Sequence, residues 1–160
     1  MYSASDLGRR LNSTIIVYGT LTEAGANRYA AEQFQKQFLD RFESAVRIFK
    51  DFEVTEGELA DHDVLFVGRP ESNSALAAWA KPLALDYEGV VFQIAGKDHS
   101  SENDALVYAA ANPLNKKKMV VVAAANSPVG TVLLTRGMFP QAQYQLYEAG
   151  RPGDSGFLTK

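Results

Sequence analysis

Cysteine is absent from the 160-residue chain, so thiol nucleophiles, disulfides and thiolate metal ligands are excluded together, and the redox compartment stays open. Histidine occurs only as His62 and His99, and the two share no metal-ligand spacing such as H-E-x-x-H. His62 stands between Asp61 and Asp63 and His99 follows Asp98, positions that suit solvated turns better than a general base. No G-x-S-x-G elbow offers a serine on a strained strand-to-helix turn. The acidic residues Asp51, Glu53, Glu56 and Glu58 do not follow calcium-loop spacing. No catalytic residue, metal ligand or cofactor is therefore expected. Excess positive charge is missing as well: 16 Lys and Arg stand against 19 Asp and Glu, and the one basic cluster, Lys116-Lys117-Lys118, leads straight into an apolar run. A nucleic acid is not an expected partner. No stretch approaches the roughly 20 apolar residues of a membrane span, and Met1 to Arg10 lacks the apolar core of a signal peptide.

Apolar residues make up 46% of the chain, enough for one domain with a proper core. Two matched segments, Ser13 to Thr20 and Asp63 to Pro70, are β-branched apolar runs that stop at glycine, pass through a polar loop and lead into an amphipathic stretch. The first strand is expected at 14–18, followed by a helix from Ala26 to Phe42 with Ala30, Phe34, Phe38, Leu39 and Phe42 at helical spacing. Val46 to Val54 alternates as an edge strand would, Thr55 to Glu58 forms a capping box, and Asp63 to Val67 is the third strand. A helix through Ala75, Leu76, Trp79 and Leu83 follows, with Trp79 in the core. Residues 89–95 and 105–109 are expected to form a hairpin or strand pair. Met119 to Ala125 is the most apolar strand, Pro128 to Arg136 a last helix, and 143–147 with 156–158 a terminal edge strand or hairpin. The alternation predicts an α/β fold, a doubly wound three-layer sandwich whose mostly parallel sheet has order 2-1-3-4-5 with added antiparallel edge strands. Residues 1–12 read as a linker-like segment and 13–160 as a single domain.

Open sheets of this kind bind ligands beyond the carboxyl ends of their strands. Three loops meet there: 19–27, 68–73 and 125–128. They offer Thr20, Thr22, Asn27, Arg69, Ser72, Asn73, Asn126 and Ser127 as candidate ligands for a small anion or polar molecule. The same types are standard helix caps and turn residues, and Arg69 could equally tie two loops together by pairing with Glu23 or Glu71.

Val17-Tyr-Gly-Thr-Leu-Thr22 ahead of a helix resembles the phosphate loop of flavodoxins. The loop is lengthened by Glu23 to Ala26, Glu23 would face a phosphate dianion, and neither neighbouring loop carries an aromatic residue to stack on a flavin. The reading is a shared fold without the shared cofactor. A broader pattern is carried by Ile16 to Thr20, Lys50 to Thr55, Leu65 to Ser74, Asn112-Pro-Leu-Asn115 and Gly156-Phe-Leu158. It resembles a flavodoxin-like C-terminal accessory domain of bacterial hydrolases, attached to a prolyl-oligopeptidase-type α/β-hydrolase or an M1-type zinc aminopeptidase. The resemblance implies a non-catalytic accessory or binding domain whose partner is the catalytic domain of a larger protein, periplasmic or extracellular if that parent is secreted and otherwise cytoplasmic. A small flavodoxin-type cofactor protein or a stand-alone hydrolase is the alternative.

Overall fold

The computed structural model describes residues 1–158, so positions 159 and 160 of the expected domain lie outside the described residues. The centre of its main sheet is built from segments apolar on both faces. Thr14–Tyr18 (β1) and Asp63–Val67 (β3) are buried at every residue, and so are the last seven of Asn115–Ala125 (β8). Strands of that composition need cover on both sides, and they pair in parallel, β1 with β3 and β3 with β8. Arg47–Lys50 (β2) lies parallel on the outer side of β1.

The order β2-β1-β3 is the expected one, but the series 2-1-3-4-5 is not completed. β8 takes the fourth place, and beyond it come Asp104–Asn112 (β7), Tyr144–Glu148 (β9) and Arg151–Gly156 (β10), each joined antiparallel to its neighbour. Asn112 pairs with Asn115, leaving only Pro113 and Leu114 between β7 and β8. A connection that short cannot carry a parallel crossover, so the sheet must turn antiparallel there. The result is a mixed seven-stranded sheet with three parallel and three antiparallel pairings, five strands still pointing the same way.

Residues 89–95 do not pair with 105–109. Asp86–Glu88 (β4), Val91–Ile94 (β5) and Lys97–His99 (β6) make a separate antiparallel sheet. Only one face of β5 is apolar, with Phe92 and Ile94 buried between exposed Val91 and Gln93, so this sheet packs as a lid on the core. Its β5–β6 turn is the two-residue pair Ala95-Gly96, both at positive φ as the tight twist of a hairpin demands.

The sheet has cover on both faces. One face carries Ala24–Phe42 (α1), Pro128–Leu133 (α4) and the N-terminal segment, packed on Ile16, Leu65 and Val121. The other carries Glu56–Asp61 (α2), Ser74–Ala77 (α3), the turns to Leu85 and the small sheet, packed on Val17, Phe66 and Val122. The regular part of the helix expected through Leu83 stops at Ala77. Pro82 has no N–H and its ring crowds the carbonyl four residues back, so 78–84 runs on as tight turns. Trp79 still reaches the core and meets Phe66 edge-on at 5.5 Å.

The linker-like reading of 1–12 is corrected. Ala4–Arg9 and Leu11–Ser13 form 3-10 turns, and Ala4, Leu7 and Leu11 join the core on the α1 face. The Ala4 N–H donates to Ala142, and Arg10 donates to the fully buried Asp63 at 3.1 Å. A linker would not place three aliphatic side chains and the cation of a buried carboxylate in the domain.

Candidate functional site

The loops after β1, β3 and β8 come together as expected, and they interlock. A side chain at Gly19 would stand 2.3 Å from the Ser72 carbonyl oxygen, so only glycine lets the two loops touch. Gly68 has φ +102, and a Cβ there would collide with Ser72 Oγ and Asn27 Nδ2. The first three backbone N–H groups of the first loop are already engaged. Gly19 donates to Val67, Thr20 to Asp51 Oδ2 at 3.3 Å and Leu21 to Ser72. Those are donors that a phosphate in a flavodoxin-type loop would require.

Six of the eight candidate residues belong to this lock, and Asn126 and Ser127 hold the end of β8 to other elements. Thr20 Oγ1 donates to Asp51 Oδ1 at 2.6 Å. Thr22 is exposed, and its carbonyl accepts from Asn27 Nδ2. Asn27 is buried and also donates to the Gly19 carbonyl and to Ser72 Oγ, both at 3.1 Å. Ser72 Oγ in turn donates to the Arg69 carbonyl. Asn73 caps α3 by accepting from the Leu76 N–H, while its Nδ2 donates to the carbonyls of Val17 and Val67. Asn126 donates to His99 and Ser101 and accepts from the Tyr87 hydroxyl, fastening the small sheet to the end of β8. Ser127 caps α4. Burial pushes the Tyr87 phenol far above its ordinary pKa, so this hydroxyl remains a donor.

Arg69 does not project into solvent. It is 4% exposed, and it pairs with Glu23 at 2.6 Å and Glu71 at 3.2 Å, with a further bond to the Ala125 carbonyl. Burial by itself would lower its pKa, but the two carboxylates, Glu23 first, more than offset this and hold it above the ordinary value. Glu23 adopts the left-handed region, φ 55, to reach it. Among the described residues Asn27 Oδ1 and Arg69 Nε are buried without a partner.

Asp51 is the residue the sequence reading passed over. It directly follows β2 as part of an acidic stretch and looks solvated, yet it is 4% exposed and accepts from Thr20 and from the Ser74 N–H at 2.9 Å. Burial alone would raise its pKa, and the bonds from Thr20 and Ser74 outweigh that and lower it. The signal available was its position directly after a strand next to β1, at the same sheet edge as the loops. His99 is likewise less solvated than expected. Its ring stacks on Phe92 at 5.0 Å, and its Nε2 is buried. His62 Nδ1 lies 2.6 Å from the Glu58 carbonyl at the end of α2. Among the described residues no three His, Asp or Glu side chains gather as a metal site would need. No helix among them is long and apolar enough to cross a membrane. No family model matches the chain, and no curated protein is significantly similar to it.

Proposed function

We propose that this chain is a non-catalytic accessory domain that packs on the catalytic domain of a larger hydrolase of the peptidase or esterase kind. The observation that carries the reading is the use made of the sheet edge. Arg69, Asn27, Ser72, Asn73 and Asn126 are all at least nine-tenths buried, and their hydrogen bonds tie the loops to one another, to β1 and to the small sheet. Opening a binding site there would strip a buried arginine of its carboxylates, at a cost of several kcal/mol that a small ligand must first repay. An edge built in this way serves rigidity, and rigidity suits a domain whose work is to present a surface. The resemblance of the fold-bearing segments to hydrolase accessory domains supplies the partner class.

Two measurements test the reading. The chain is titrated with flavin mononucleotide and assayed on chromogenic aminoacyl and acyl-ester substrates with and without zinc; stoichiometric fluorescence quenching at micromolar flavin, or turnover above the blank, overturns it. The reading frame around the coding region is then searched for a catalytic region, which is produced separately and mixed with the chain in a calorimeter. Saturable heat at one-to-one stoichiometry is the expected result.

A further inference from the structure

The apolar stripe of α1 does not end where the core ends. Phe34 and Phe38 are buried, but one turn further on Phe42 is 44% exposed. Opposite it the chain leaving the 3-10 turn at 134–136 brings up Met138, 65% exposed, and Phe139. Together they line a shallow open groove with a cavity volume of about 60 Å³, room to seat one face of a small ligand and leave the rest in solvent. The Phe139 ring lies 5.2 Å from Phe34 and 6.3 Å from Phe38, tilted 38° and 58°, so the groove has an aromatic floor against which another ring can lie offset or edge-on. Met138 gives the opposite side an adaptable, polarisable wall.

Arg41 is the one charged residue lining this groove. The other cations of α1 with an acid four residues on are paired, Arg28 with Glu32 and Lys36 with Asp40. Arg41 has Gln37 and Ala45 at those offsets, and among the described residues it makes neither an ion pair nor a hydrogen bond. An aromatic groove with a single unengaged guanidinium at its rim combines apolar burial with a planar fork matched to a carboxylate. We propose that this groove is a binding site for a small aryl or alkyl carboxylate, its apolar part against Phe38, Phe42 and Phe139 and its carboxylate on Arg41. The site lies toward the C-terminal end of α1, whereas the first sheet-edge loop leads into the N-terminal end of that helix, and the proposal stands whether or not the accessory-domain reading does.

The three methionines make the test direct. With methyl-labelled methionine, Met138 reports on the groove, while Met1 and the buried Met119 do not line it. The full chain is titrated with 3-phenylpropionate, its neutral amide and 3-phenylpropylamine. The expected result is a saturable shift of the Met138 methyl with the carboxylate, half-complete below about 10 mM, with the amide weaker by about threefold to fivefold and the amine weakest. Arg41→Gln should bring the carboxylate down to the level of the amide, and Phe42→Ala, at a half-exposed position, should weaken all three while the Met119 signal stays in place. Absence of saturation, equal affinity for the three probes, or equal shifts at Met1 and Met138 overturns the proposal.

Discussion

Asp51 receives three hydrogen bonds at the junction of β2, the first loop and α3, and no cation pairs with it among the described residues. Its charge is stabilised by N–H and O–H donors alone. Asp51→Asn turns one acceptor oxygen into a donor facing those donors and should cost about 1–3 kcal/mol at pH 7, measured by urea unfolding. The folded-state pKa is depressed below the ordinary 3.8, so the carboxylate's contribution is complete above that value and lost as pH falls through the lower folded one. The gap between wild type and Asp51→Asn should therefore stay constant from pH 7 to about 5 and shrink below about 4; a gap independent of pH down to 3 would show that the charge plays no part. Arg69→Ala is a larger change than its place in a polar loop suggests. It leaves Glu23 facing a hole where its cation was, and a loss of about 2–4 kcal/mol in the same assay is expected. Arg69→Ala in a Glu23→Gln background should cost less than in wild type, which a double-mutant cycle reads directly.

At the scale of elements, the short helices depend on their caps. α2 begins with the capping box visible in the sequence, the Thr55 hydroxyl accepting from the Glu58 N–H and the Glu58 carboxylate from the Thr55 N–H. α3 is a single turn, too short to stand by propensity, and Asn73 holds it at one end while binding the carbonyls of β1 and β3 at the other. Asn73→Ala should consequently cost more than the ~1 kcal/mol of an ordinary cap, about 2–4 kcal/mol, because the buried carbonyls of Val17 and Val67 each lose a donor as well, although Val67 keeps the Gly19 N–H. Thr55→Ala, at an exposed cap, should cost about 0.5–1 kcal/mol. If thermal melts place the two variants level, Asn73 is a cap and nothing more.

Over the whole molecule, two cores lie on opposite faces of one sheet, and the N-terminal segment belongs to the α1 side. Leu7 is fully buried there, so Leu7→Ala should cost about 2–4 kcal/mol and lower the melting temperature by roughly 6–12 °C. Deleting residues 1–12 removes Leu7, Leu11 and the cation facing Asp63 together, and loss of a cooperative melt is the expected outcome. A truncated chain melting within a few degrees of the intact one would restore the linker reading.

The central strands, the first helix and the Thr55 capping box were legible in the residues because each rests on local causes, and so was the first strand of the terminal pair, whose partner runs over Arg151–Gly156 and not over the expected 156–158. A β-branched run flanked by glycine, or phenylalanines at a 3.6-residue period, carries its own pattern wherever it sits. What the residues did not disclose depends on neighbours remote in the chain. The place of β8 beside β3, the small sheet made from 86–99, and the inward turn of Ala4 and Leu7 follow from competition between apolar faces for cover. The same holds for charge. Arg69 and Asp51 look like surface residues when read in sequence, since a charged side chain in a polar loop is ordinarily solvated. Only the folded chain, bringing Glu23 to the one and Thr20 with Ser74 to the other, supplies the partners that make their burial affordable.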